Sequence, residues 1–475
     1  MFTPIALALG GFFAVLFALA FWASGRIETE EDFIVAGRSM PGWVSFSTLL
    51  ATWFSAGSLL ISADAVYVEG VIVTALEPFG VAACLILASL FLVKRLRREK
   101  KAMTIADIVK DRFGRASEVL LTVYSFSYIG WIAVQLMGLG GMVHIFLDIE
   151  LSTAILIVAV TLTLYTIMGG MWSVAITDVL QLGLLAAGLI YLSVSVFSVL
   201  GDGSVIQGVD AIFTRTDPAF LDWMPTDNLD QFVYWLGLYI VGAFGNLSAQ
   251  DLAQRIFGAK SDKVAHRACT AAGLVYIPLA ILPVMMGLAA RLLLDDNSTS
   301  VVPALAVQYL SPTMSIIFIL TIAAAVTSTI DSAMLAPAST IAKNLLKPML
   351  GDRIPTLLLV RICVVIISVL SVSIALSGSR ALDLLQGSYS LGIPPLIVLF
   401  AALYQKMFYP AAAVVTLVSG LLLWSSDMLL SLVGIELSVL AGSYIIIAMF
   451  FGGIVIYLSM HGFCGWLAGR KYVHA

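Results

Sequence analysis

Charged side chains are scarce in this sequence. They make up 11% of its 475 residues, against 60% hydrophobic ones and a mean hydropathy of +1.03. A soluble domain carries roughly 25% charged residues, so the shortage excludes a water-soluble globular chain and points to a polytopic membrane protein. Cysteine and histidine are equally sparse, with four of each. Cys84, Cys269, Cys363 and Cys464 fall within apolar runs, without a CxxC pair or a His cluster beside them. They read as buried small hydrophobes rather than disulfides or metal ligands. No GxxxxGK[ST] loop is present, which excludes an ATP-driven pump built from this chain alone. No nucleophile arrangement, metal cluster or cofactor loop suggests an enzyme, and no nucleic-acid partner is expected. The net charge of −4 says less than where the charges lie.

What the chain has instead is long apolar runs. A helix needs about 20 apolar residues to cross the bilayer core, and that ruler gives about thirteen spans. They lie near 4–23, 43–67, 71–93, 117–146, 152–171, 174–200, 231–257, 265–293, 313–342, 356–378, 382–404, 408–433 and 437–467. No Lys or Arg precedes the first, so it reads as a true helix with an outside N-terminus rather than a cleaved signal. Alternating crossings then place all 25 Lys and Arg except Arg215, Arg291 and Arg380 on the cytoplasmic side. That asymmetry is the positive-inside pattern. It places the GRKYVHA end in the cytoplasm, and the expected location is a bacterial inner membrane. Nine of the basic residues lie between Lys94 and Arg115. The KRLRREKK stretch there is most simply a topology anchor, with anionic-lipid binding as the alternative. The outer loops include 201–230 and 295–312.

Two spans carry polar and small residues at mid-depth, where plain leucines would suffice. The first is 43–67, interrupted at Thr52–Ser58 within LLATWFSAGSLLI. The second, five helices later, is 231–257, interrupted in GAFGNLSAQ at Gly242, Gly245 and Asn246. Close helix packing at glycine explains either one alone. Two at matching positions suggest discontinuous helices that expose backbone carbonyls, as in transporters built from inverted repeats. The expected organisation is an extra N-terminal helix over 1–30, a core over 31–405 and two further helices with a short tail over 406–475. Within the core, repeat one covers about 43–200 and repeat two about 231–404.

Ionisable groups inside spans are costly and default to functional hypotheses. In AAAVTSTIDSAML (323–335), Ser328 and Ser332 share a helix face, flanked by Thr329 and Asp331. Hydroxyls with backbone carbonyls suit a hard monovalent cation such as Na⁺; back-bonding to the i−4 carbonyl is the bland alternative. In YTIMGGMWSVAITDVLQL (165–182), Asp178 and Gln181 lie one turn apart, and Asp178 is either a second cation ligand or a packing partner. Asp64, Glu77 and Asp383 read as helix-end or outward-facing groups. Asp251, with Gln254 and Arg255, reads as an inner gate or an interface. Trp43, Trp172, Trp223 and Trp235 fit interfacial belts. Trp53 and Trp131 lie mid-span, the latter one turn from Tyr128, where they either pack or stack on a substrate. A Trp face attracts a quaternary ammonium group by roughly 2 kcal/mol when desolvated.

GRSMPGWVSFSTLLATWFSAG, YTIMGGMWSVAITDVLQL, SAQDLAQRIFGAKS and AAAVTSTIDSAMLAPAS resemble, in order and spacing, the successive signatures of the sodium/solute symporter family. The resemblance covers roughly residues 30–460. It implies an all-α membrane fold of the leucine-transporter type, a five-plus-five inverted repeat whose repeats each begin with a discontinuous helix. It also implies Na⁺-driven uptake of a small molecule across the lipid bilayer. The implied first Na⁺ site uses the carbonyls of Ala51, Phe54 and Ala325 with the hydroxyls of Ser328 and Thr329. A second Na⁺, held in some members, would map to Asp178, Ser328 and Ser332, with Asp331. ATWFSAGSLLISADAVYVEG, SYIGWIAVQLMGLG, VQYLSP and STIDSAM look closest to the high-affinity choline transporter branch. The substrate-binding residues implied are Trp53, Trp131 and Tyr128. Ala249 stands where that branch has an aromatic before QxxxQR, so the implied cage lacks one wall. The expected solute is a quaternary amine such as choline or a betaine, with proline-like amino acids, sugars and small carboxylates as alternatives. A channel or sensor on the same fold is the alternative of another class; no signalling domain is expected after GRKYVHA. Nothing in the sequence sets an oligomeric state.

Overall fold

Backbone amides in hydrocarbon have only each other as partners, so a chain this apolar closes its hydrogen bonds within helices. The computed structural model describes residues 2–294, 300–426 and 438–473. Among them there is no strand, only an isolated bridge between Met40 and Ala259. Among the described residues nine helices are long and apolar enough to span a membrane, or ten if one bent pair is joined.

The elements used below are, in chain order, α1 (Phe2–Ser24), α2 (Gly42–Trp53) and α3 (Ser62–Glu69), the last entered through the π turn Gly57–Ile61. They continue with α4 (Phe79–Leu87), α5 (Ile105–Phe113), α6 (Ser127–Leu147) and α7 (Leu151–Leu200). Then come α8 (Leu229–Phe244), α9 (Gln250–Gly258), α10 (Asp262–Leu293) and α11 (Pro312–Thr340). The remainder are α12 (Thr356–Ala375), α13 (Ala381–Ser390), α14 (Ile393–Tyr404), α15 (Pro410–Trp424) and α16 (Gly453–Val473). The two spans expected at 152–171 and 174–200 meet inside α7 at Gly170. Its φ of +54° and a virtual Cβ 2.6 Å from the Phe33 ring admit only glycine there.

Both expected discontinuities exist. The chain bends by 55° between Gly42–Trp53 and Gly57–Glu69. Phe54 N–H closes α2 on Leu50 O (2.9 Å), and the freed amide of Ala56 donates to Gln135 Oε1 (2.9 Å). The second break runs from Gly245 to Ala249, between α8 and α9. Gly242 is not part of it: it lies inside α8, where a Cβ would sit 2.4 Å from Leu76 O and 2.9 Å from Gly80 Cα. Its role is close helix packing, which periodicity could not separate from a break.

Other expectations need correction. The loop 201–230 contains the helix Val205–Arg215, and the described part of 295–312 holds Val301–Tyr309; residues 295–299 lie outside the described residues. The span expected at 408–433 is helical over Pro410–Trp424, and 427–437 fall outside the description, as do the last two residues of the tail. Cys84, Cys269 and Cys363 are buried free thiols, but Cys464 is half-buried. Trp235 is buried, not interfacial, stacked on Tyr239 at 5.6 Å. The KRLRREKK stretch makes contacts within the protein: Arg97 donates to Phe257 O (2.6 Å) and Arg95 lies 3.5 Å from the centroid of the Tyr404 ring.

Candidate functional site

The first discontinuity packs against α11. α2 ends at Trp53, so its last carbonyls have no helical partner, and the small, polar run Ala323–Ser332 lets α11 approach them. Ser328 Oγ lies 3.0 Å from Ala51 O and 2.9 Å from Ala325 O. Thr329 Oγ1 lies 2.9 Å from Thr52 O and 3.1 Å from Ala325 O. Four of the five residues expected at the first Na⁺ site thus converge, joined by the Thr52 carbonyl, which the sequence reading had not included. Phe54 lies at the break beside them, its amide on Leu50 O. Every side chain in the cluster is buried. Neutral oxygens in a dry cluster fit a hard, singly charged cation.

Directly below, the residues expected to hold a second Na⁺ meet around a side chain the sequence reading had assigned to a gate or interface. The Arg255 guanidinium is buried between α2, α7 and α11. Nη2 is 2.6 Å from Ser332 Oγ and 3.6 Å from Asp178 Oδ2, and also donates to Thr52 Oγ1. Nε reaches Thr48 O and Oγ1, each at 3.1 Å, and Nη1 donates to Asp251 O at 3.1 Å. Thr48 Oγ1 donates to Asp178 Oδ2 at 2.5 Å. Asp331 Oδ1 accepts from the Ser332 amide (2.6 Å), whereas its Oδ2 finds no partner among the described residues. The Gln181 amide, turned with its nitrogen to Asp178 Oδ1 (3.3 Å), accepts from Thr327 (2.8 Å). Arg255 therefore supplies the positive charge beside Asp178, and an ion entering this locus would share that carboxylate with it. Asp178 pairs with this guanidinium, and the Asp251 and Asp331 carboxyls lie close enough to feel its charge.

A cavity of about 50 Å³ lies beside the second discontinuity. Tyr128, Trp131, Tyr389, Ser388, Asn246 and Ala249 are among its walls. Tyr128 and Trp131 pack at 5.7 Å between ring centroids, Trp131 and Tyr389 at 6.2 Å. The Tyr128 hydroxyl donates to Asp251, so one wall is tied to the polar cluster. Among the described residues the indole N–H groups of Trp53 and Trp131 find no hydrogen-bond partner. Trp53 is 6% exposed and does not line this cavity, unlike Tyr128 and Trp131. Tyr389 escaped the sequence reading because a tyrosine in GSYS close to a helix end resembles an interfacial residue. Ligand sites typically measure 300–1,000 Å³, so this cavity as it stands is smaller than a typical ligand site. A larger one, about 370 Å³, opens near the far end of α3, lined by Asp64, Met137, Arg380 and Leu382.

Comparison with known proteins agrees with this geometry. The high-affinity choline transporter 1 of Drosophila melanogaster is 27% identical over 391 residues, 77% of this chain and 61% of that protein. The human high-affinity choline transporter 1 is 28% identical over 357 residues, 70% of this chain and 60% of that protein. The matched segments thus span about three fifths of these relatives. Among solved structures, a Na⁺-coupled sialic acid symporter in a substrate-bound outward-open state superposes with a TM-score of 0.77 at 20% identity. It covers 95% of this chain and 97% of its own, which establishes a shared fold. The model of the sodium:solute symporter family matches residues 33–420, taking in both discontinuous helices and the hydroxyl-rich α11, and the chain is a multi-pass membrane protein that belongs to that family.

Proposed function

We propose that this protein is a Na⁺-coupled symporter that imports a small quaternary amine, such as choline or a betaine, by alternating access. The observation that carries the reading is the oxygen cluster of Ala51, Thr52, Ala325, Ser328 and Thr329. It joins the end of a broken helix to α11 across some 277 residues of sequence. Na⁺ bound there, with Phe54 supplying a further carbonyl, would replace the hydroxyl-to-carbonyl hydrogen bonds. That would brace α2 against α11 and shape the cavity walled by Trp131 and Tyr128, with Trp53 joining as it opens. Solute and ion would then assist each other's binding by the same factor. The halves near 43–200 and 231–404 would move as the repeats. Asp178, Ser332 and Asp331 would hold a second ion only by sharing Asp178 with Arg255.

The family and relatives support transport rather than catalysis, and the positive-inside pattern supports an outside N-terminus and cytoplasmic C-terminus. One Na⁺ falling through 100 mV supplies about 2.3 kcal/mol, roughly a 50-fold solute ratio. The test is radiolabelled uptake into proteoliposomes across choline, betaine, proline, glucose and sialic acid. Choline or betaine is expected to accumulate with an inward Na⁺ gradient and to stop when K⁺ replaces Na⁺. Accumulation indifferent to that exchange would refute the coupling. The second reading, a small carboxylate or sugar as solute, is favoured by Ala249, which leaves one cavity wall without an aromatic.

A further inference from the structure

Glu77 precedes α4 and is buried, only 4% exposed. Hydroxyls from two other helices surround it. Tyr389 donates to Oε1 at 3.0 Å and Tyr276 to Oε2 at 3.3 Å. Ser58, 2.5 Å from the Tyr276 hydroxyl, links this group to Trp53 O at 3.2 Å. Among the described residues Glu77 makes no ion pair, in contrast to Asp178, which has Arg255. A carboxylate at membrane depth with only neutral donors is costly to hold ionised. A cation brought beside it would offset that cost.

Its position says where that cation comes from. A Cβ on Gly57, in the π turn after the first break, would lie 3.5 Å from Glu77 Oε1 and 3.2 Å from Leu385. Tyr389 meets Trp131 edge-to-face and walls the same cavity, and Tyr276 packs on Phe54 at 5.6 Å. Glu77 therefore stands immediately behind the aromatic wall, and the phenol of one wall residue points at it. A phenol donating to an anion becomes more electron-rich, and its ring face a better seat for an ammonium group. Neither Glu77 nor Tyr389 belongs to the oxygen cluster between α2 and α11, so the ion proposed there is a separate cation.

We propose that Glu77 is the counter-charge for a cationic head group on the transported solute, acting through the Tyr389 phenol, and that it sets the cavity's preference for cations over neutral isosteres. This rests on the reading of the preceding section. The test uses Na⁺-driven choline uptake in proteoliposomes, with 3,3-dimethyl-1-butanol, the uncharged carbon isostere of choline, as competitor. Wild-type protein is expected to prefer choline strongly. Glu77→Gln should raise the choline half-saturation at least about tenfold and shrink the preference equally, leaving the Na⁺ half-saturation, read at saturating choline for each protein, within about twofold. Glu77→Asp should recover part of the preference. Tyr389→Phe, which keeps ring and carboxylate but removes a donor, should lower the preference by about threefold. An unchanged preference in Glu77→Gln, or a shift in Na⁺ half-saturation instead, overturns the inference alone and leaves symport standing. Should Glu77→Gln fail to fold, an unchanged preference in Tyr389→Phe overturns it. A wild-type protein that carries no cationic solute overturns both.

Discussion

Ser328 shows how much a single hydroxyl can do at the end of an interrupted helix. It touches Ala51 O on α2 and Ala325 O on its own helix, so it is both a tie between helices and a candidate ion ligand. Ser328→Ala should raise the Na⁺ concentration for half-maximal uptake by about tenfold, the loss of about 1.5 kcal/mol of contact. Maximal uptake at saturating Na⁺ should change far less. A Na⁺ titration of proteoliposome uptake reads this directly, and an unmoved half-saturation would place the ion elsewhere. The polar pattern of α11 was visible in the sequence, because a run of hydroxyls and an aspartate stands out against hydrocarbon. Arg255 was not, since an arginine near the end of a span resembles an interfacial anchor. Only the fold of α9 beneath α2 shows its guanidinium facing Asp178.

At the scale of elements, the two discontinuities depend on backbone approaching backbone. Gly245 at the second break and Gly392 between α13 and α14 meet so closely that a Cβ on Gly392 would lie 1.6 Å from Gly245 O. Gly392→Ala must displace main chain rather than a side chain, and overpacking of that kind costs about 1–3 kcal/mol. The variant should melt earlier in detergent than wild type and lose uptake. Gly387→Ala, on the same segment but with nothing within 4 Å of its Cβ, should match wild type in both measurements. Equal melting of the two variants would show that the break relaxes freely. The breaks themselves were legible from glycine and polar residues at mid-depth. Their boundaries were not, because Gly242 packs against Gly80 and looks the same in sequence as a glycine that ends a helix.

Across the whole molecule, the short helix α5 ties distant parts together. Thr104 and Asp107 form a capping box at its start, and the Ile105 amide donates to Gln250 Oε1 on α9 at 2.9 Å. Asp107 also pairs with Lys343 and accepts from Asn344 Nδ2 at 2.8 Å, beyond the end of α11. Asn344 in turn donates to Glu118, which Arg115 meets at 2.7 Å. Burial alone would raise the Asp107 carboxyl, but the Lys343 charge and the hydrogen bonds outweigh it and hold the group below its ordinary 3.8. A carboxyl depressed in the folded state adds stability above its ordinary value and loses it as pH falls through the folded one. Asp107→Asn should therefore lower melting stability by about 1–2 kcal/mol at pH 7. The deficit against wild type should shrink once pH drops below about 4. A deficit independent of pH would assign the effect to packing.

The sequence by itself determined the solvent of this protein, its helical class, the two interrupted spans and the polar helix face of α11. Each is a property of one local stretch: mean hydropathy, helical period, or a polar residue where hydrocarbon penalises it. Tertiary structure decided what those stretches touch. It set Arg255 beside Asp178, left Glu77 with hydroxyls and no ion pair, and put Tyr389 rather than Trp53 on the cavity wall beside Trp131. These placements depend on separations across helices far apart in the chain, and on the partner each charge finds there, which no local pattern records.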